Sequence, residues 1–180
     1  MIAASDGVAL ARAFFVLAAV ESTAQRAPGT SDAECTHFEQ AAAQTADILS
    51  SQLTQAQDTL LTDIINFQIE LLADDAYYGA IIRRIRAGGS AEDAVRVVTE
   101  DTCGELQGMQ DNTYLQARTA DIQDIGNRLL AQLNGCTPVQ PTKEPYIAVA
   151  EDLPPSWFLS ADAAGLRGIL LRAAMNKIML

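Results

Sequence analysis

The sequence predicts a mostly α protein in which a four-helix bundle is inserted into an α/β subdomain built from both ends of the chain. Three observations carry this reading. Apolar residues recur at intervals of three and four through the middle of the chain, β-compatible runs lie near both ends, and Pro138, Pro141 and Pro145 form a stiff connector between the helical middle and the second β run. The expected boundaries are 1–30 for the first strands, 31–136 for the bundle and 137–180 for the returning strands.

From Val8 to Val20 the residues are apolar and suit one or two strands, and a polar linker holding Pro28-Gly29 follows. Ser31-Asp32-Ala33-Glu34 has the form of a capping box, so a helix begins there. Phe38, Ala42, Thr45, Leu49, Leu53, Ala56, Leu60, Ile64, Phe67 and Leu71 form one stripe. It is too long for an ordinary helix, and a kink or break is expected within it. A second helical segment, Asp75 to Arg86, ends at Gly88-Gly89, where glycine can take the left-handed cap conformation. Ser90-Ala91-Glu92-Asp93 caps a third, carrying Ala94, Val97, Val98 and Leu106. Asp111-Asn112 opens a fourth with Leu115, Ile122, Ile125, Leu129 and Leu133, closed by Asn134-Gly135. Such segments joined by short loops make a bundle. Beyond the connector come a strand at Tyr146 to Ala150, a short helix at Pro155 to Ala163, and a strand at Gly168 to Leu171.

With 180 residues, 49% of them hydrophobic, the chain has ample material for a core. Its 23 acidic and 12 basic residues give a net charge of −11. That balance argues against phosphate backbones and anionic lipid as partners and for a basic protein. Cys35, Cys103 and Cys136 have neither zinc-ligand spacing nor the density of a disulfide framework, so a reducing cytoplasm is expected. The run from Gly7 to Val20 is interrupted by Arg12 and lacks a basic segment before it, which disfavours a signal peptide. It is also too short to span a bilayer.

Three segments resemble enzyme I of the bacterial phosphoenolpyruvate:sugar phosphotransferase system, in its N-terminal half. They are the opening IAASDGVALARAF, the segment AEDLPPSWFLSADAAGLRGILL, and above all NTYLQARTADIQDIGNRLL with its Tyr-Leu-x-x-Arg-x-x-Asp-Ile-x-Asp-Ile pattern. The resemblance covers the chain to about Ala173. It extends to multiphosphoryl transfer proteins and the phosphotransferase subunit of dihydroxyacetone kinase. It implies a helical module that binds HPr, the small phosphocarrier, beside a swivelling phosphohistidine subdomain. In the family the strand matching Gly168 to Leu171 leads to a Gly-Gly-x-x-Ser-His segment, whose histidine passes phosphate from phosphoenolpyruvate to HPr. Here Arg172 is followed by Ala-Ala-Met-Asn-Lys-Ile-Met-Leu, so no transfer activity is expected of these residues alone. The resemblance implies no cofactor in this chain, magnesium being bound elsewhere in the full-length enzyme.

It also implies a carrier-docking surface around Gln68, Leu71, Asp74, Leu106, Met109 and Arg118. Gln68 replaces a histidine common in the family, and Leu61 falls where a charge is usual. Read from periodicity alone, Leu71 and Leu106 fit the bundle core equally well, and Arg118 with Asp121 and Asp124 with Arg128 read as surface ion pairs. His37 is the only histidine and reads as a surface residue on a helix, not a phosphate acceptor. No carboxylate pair, Ser-His-Asp set or metal-ligand spacing is evident. A non-catalytic carrier-binding or scaffold module is the rival reading. The sheet edge at Gly168 to Leu171 offers a second copy a place to pair.

Overall fold

The computed structural model describes residues 8–16, 29–56, 59–108, 113–136, 144–150, 153, 154, 157 and 165–171. The chain divides into two compact units, one of Met1–Glu21 with Pro138–Leu180 and one of Ser22–Thr137. Each has its own core.

The larger unit holds α1 (Ser31–Gln55), α2 (Thr59–Ala73), one turn of π-helix (Asp75–Gly79), α3 (Ala80–Arg86), α4 (Ala91–Gln107) and α5 (Thr113–Leu133). Among the described residues the unit has five α-helices, the long first segment of the four expected being divided into α1 and α2. The long apolar stripe is broken at Ala56, whose backbone is extended while its N–H still reaches Gln52 and Leu53. Neither glycine nor proline marks the spot, so periodicity runs straight through it. The core contains Phe38 and Leu49 of α1, Ile65 of α2, Ile81 and Ile85 of α3, Val95 of α4, and Ile122, Ile125 and Leu129 of α5.

Both glycine stops close as Schellman motifs. Gly88 and Gly135 have φ of 102° and 63°, and the residues after them, Gly89 and Cys136, donate back to Arg84 and Ala131. Ser90 caps α4 by accepting from the Asp93 amide at 3.1 Å. The cap of α1 differs from the expectation, being Thr30, which accepts from Ala33 at 3.3 Å. Glu34, expected to reach back to Ser31, instead accepts from Gly29 at 2.7 Å and from Ala91 at 2.9 Å.

α4 packs closely on α5, where a Cβ on Gly126 would come within 2.6 Å of Thr99. Thr99 spends its hydroxyl proton on the Val95 carbonyl at 2.7 Å, so at the 2.8 Å contact between Tyr77 and Thr99 the phenol is the donor. That bond ties the π-turn to α4. Gly79 closes the same turn, since a Cβ there would collide with the Asp75 carboxylate.

The smaller unit is a parallel sheet of β1 (Arg12–Phe15), β2 (Tyr146–Ala150) and β3 (Leu166–Leu171), in that order. Phe14 stands opposite Ala148, and Ala148 opposite Ile169. Alternation sends Tyr146, Ala148 and Ala150 to one face, where they are buried with Leu153 and Trp157. Tyr146 meets Phe14 and Trp157 edge-on, with ring centres 5.8 and 6.5 Å apart. The first strand is shorter than expected: Val8 and Leu10 lie exposed outside it, and 17–20 fall outside the described residues. β3 begins two residues earlier than expected, at Leu166. The expected short helix after Pro155 lies outside the described residues apart from Trp157.

Candidate functional site

At the end of α2 the chain turns through Asp74 into the π-turn, and the side of α4 lies opposite. Between them runs a groove of about 270 Å³. Leu71, Tyr77 and Val98 give it an apolar floor, while Asp74, Asp101 and Glu105 supply carboxylates. Asp74 is fixed by its position, since its side chain accepts from the Ala76 amide at 2.9 Å. Tyr77 is fixed by Thr99. Burial pushes the Tyr77 phenol up to about 12, and Cys103 adds a smaller rise. The tyrosine is therefore a neutral wall of the groove at ordinary pH.

Of the six residues expected on a docking surface, Leu71 and Asp74 meet in this groove. Leu106 is half-buried on the last turn of α4, beside Glu105. Met109 lies outside the described residues. Gln68 differs from the expectation: it is fully enclosed, and its amide nitrogen donates to the Asp121 carbonyl at 3.3 Å and to Asp124 Oδ2 at 3.0 Å. Its side chain faces α5.

Arg118 lies on α5. Its Nη1 donates to Asp121 Oδ2 at 3.1 Å, and its guanidinium carbon sits 4.5 Å from the centre of the Phe67 ring. Burial pushes the Asp121 carboxyl up from its ordinary value, Arg118 pulls it back by hydrogen bond and charge, and Asp124 adds a further rise. One turn on, Arg128 Nε lies 3.6 Å from Asp124 Oδ2, and Arg128 Nη1 donates to Gln52 at 3.1 Å. Burial lowers the pKa of that guanidinium, against the opposing pull of Asp124.

The surface ion pairs expected on α5 are thus interior. Only 7% of the Asp121 side chain and 1% of the Asp124 side chain is exposed. The reason is register: these residues sit on the turn edges of the same face as Ile122, Ile125 and Leu129.

Sequence reasoning missed Asp101 and Glu105, although their spacing of four, with Val98 three residues before, marks one face of α4. It also missed Phe67 beneath Arg118. A second groove, of about 560 Å³, lies between α4 and α5 at Cys103, Gln107 and Thr119. Its one thiol is pushed up by burial and by Glu100, which keeps it protonated and unreactive. His37 is half-buried on α1. Among the described residues no group of three or more His, Cys, Asp and Glu is placed to hold a metal ion, and no helix is long and apolar enough to cross a membrane.

The charge is unevenly shared. The larger unit holds 17 of the 23 acidic residues and 7 of the 12 basic ones, a net −10 of the chain's −11.

A helical unit of this kind together with a small parallel sheet is the fold of the N-terminal domain of Enzyme I. The solution structure of Enzyme I superimposes with a TM-score of 0.68 over 83% of this chain and 64% of that one, at 21% identity. The N-terminal domain of Enzyme 1 Nitrogen does so with a TM-score of 0.66 over 92% and 70%, at 24% identity. The family described as PEP-utilising enzyme, N-terminal, matches residues 2–118, and the chain belongs to it. Phosphoenolpyruvate-protein phosphotransferases of Enterococcus faecalis and Streptococcus equinus are 35% and 33% identical over 183 residues, covering 98% of this chain and 31% of each relative. The chain therefore spans about a third of the length of these relatives.

Proposed function

We propose that this chain is the carrier-docking region of a phosphoenolpyruvate-protein phosphotransferase of the sugar phosphotransferase system, and that the groove between the π-turn and α4 receives an HPr-type phosphocarrier. The observation that carries the reading is that groove: an apolar floor of Leu71, Tyr77 and Val98 beside three carboxylates, on a unit of net charge −10. Apolar contact holds a partner, and carboxylates select one with basic residues around an apolar patch. Asp74 and Leu71 act there directly, with Leu106, Met109 and Arg118 extending the surface, while Gln68 supports it from inside.

In the parent enzyme the phosphoryl group passes from phosphoenolpyruvate to a histidine and then to the carrier, with magnesium bound outside these 180 residues. His37 is the only histidine in the sequence. It lies inside α1, without a glycine-rich loop to offer amides to a phosphate, so these residues dock the carrier and do not themselves take the phosphoryl group. The same observation favours, as a second reading, a module that binds the carrier without catalysis in any context.

The test is a titration of an HPr-type phosphocarrier against the labelled chain at low ionic strength. Saturable binding is expected, weakened about tenfold by Asp74→Lys, which reverses one rim charge. In parallel, incubation with phosphoenolpyruvate and magnesium should leave no acid-labile phosphate on the chain. Absence of carrier binding by the wild type removes the docking reading, and phosphate on His37 removes the assignment of transfer to another histidine.

A further inference from the structure

Arg118 is held more tightly than a surface arginine. Its guanidinium lies over the Phe67 ring of α2 at 4.5 Å, and Asp121, one turn further along α5, accepts a hydrogen bond from its Nη1 at 3.1 Å. Only 17% of its side chain is exposed. The two contacts come from different helices, and together they restrict the guanidinium.

Asp121 is itself held. Its backbone carbonyl accepts from Gln68 Nε2, and the same nitrogen donates to the Asp124 carboxylate. The amide has one admissible orientation, because turning it over would place Gln68 Oε1 against a carbonyl and a carboxylate. Gln68 Oε1 is left buried without a hydrogen-bond partner, so the two donated bonds outweigh one unmet acceptor. The chain accepts that cost to keep this turn of α5 in place.

We infer that Asp121 and Phe67 are positioning residues for Arg118, holding its guanidinium in one pose in the free protein so that it meets an oxygen acceptor of the docked carrier with little further loss of side-chain entropy. An arginine ordered only on binding gives up rotamer freedom at that moment, whereas this one is already ordered. The consequence for binding rests on the docking reading. The ordering is a property of the free chain and is measurable without a partner.

Two measurements test it. By NMR of the labelled free chain, the Arg118 δ protons should be shifted upfield by the Phe67 ring. The shift should vanish in Phe67→Leu and shrink in Asp121→Asn, with helix content retained by circular dichroism. In carrier titrations, Arg118→Ala should weaken binding about fivefold or more and Asp121→Asn about threefold, the size of one charge-assisted hydrogen bond acting indirectly. The double variant should bind no more weakly than Arg118→Ala alone, because Asp121 acts only through that side chain. Unchanged Arg118 shifts in both single variants would overturn the inference, as would a full threefold effect of Asp121→Asn in the Arg118→Ala background. If the wild type binds no carrier, the docking reading falls and the NMR result alone decides whether Arg118 is positioned.

Discussion

Glu34 shows how one side chain can join two helix starts. It is 1% exposed, and its two oxygens accept from the amides of Gly29 and Ala91, the latter opening α4. Backbone donors at helix starts have no partners within the helix, and a carboxylate placed there satisfies them while facing the positive end of the dipole. Glu34→Gln keeps the volume but turns an NH₂ group toward one of the two donors. The variant should lose about 2 kcal/mol of stability in urea unfolding, more than the roughly 1 kcal/mol expected for removing the exposed cap with Thr30→Ala. Equal losses would mean that the bridge to α4 contributes little. The capping signal at this place was legible in the sequence, since a Ser/Thr with Glu34 downstream announces a helix start. What it could not give was the partner: the second donor to Glu34 lies 57 residues away, and only the fold brings Ala91 to it.

At the scale of elements, the π-turn is held to α4 by the bond from Tyr77 to Thr99, and that bond has a pH limit. An unfolded tyrosine loses its proton near pH 10, whereas folded Tyr77 keeps it to about 12. Between those values the folded state holds a proton that the unfolded state has released, so stability falls as pH rises. At 1.36 kcal/mol for each pH unit the loss amounts to roughly 2 to 3 kcal/mol by pH 12. Tyr77→Phe should give up about 1 kcal/mol at pH 7, because Thr99 still donates to Val95, and should flatten most of the alkaline slope. Tyr78, also raised by burial, accounts for part of what remains. A slope unchanged in Tyr77→Phe would sink this account. The element itself was only half legible. Gly88-Gly89 and Ser90 announced the end of α3 and the start of α4 by their own chemistry. The length of the apolar stripe announced a break, but local sequence marks neither its place at Ala56 nor the π-turn. The ion pairs of α5 were misjudged for a related reason: charged residues carry a prior of exposure, and only the neighbouring Ile122, Ile125 and Leu129 hinted that Asp121 and Asp124 turn inward.

At the scale of the molecule, charge and apolar contact are separable, which gives the proposed docking surface a distinctive kinetic signature. The helical unit carries −10 of the −11 charges, so its field extends well beyond the three carboxylates of the groove. Leu71, by contrast, is 9% exposed and acts only after contact. Long-range charge sets how often a basic partner arrives, and desolvated apolar contact sets how long it stays. Raising ionic strength from about 0.02 M to 0.3 M shortens the screening length from roughly 20 Å to under 10 Å. The association rate of an HPr-type carrier should therefore fall about tenfold or more across that range, with the dissociation rate changing far less. Leu71→Ala should do the reverse, leaving the salt dependence of association intact while speeding dissociation about tenfold, the effect of losing a well-packed anchor of 1 to 2 kcal/mol. Stopped-flow mixing of the labelled chain with the carrier reads both rates in one experiment. An association rate indifferent to salt would show that the field of the helical unit plays no part in capture, and an unchanged dissociation rate in Leu71→Ala would move the contact away from the groove floor.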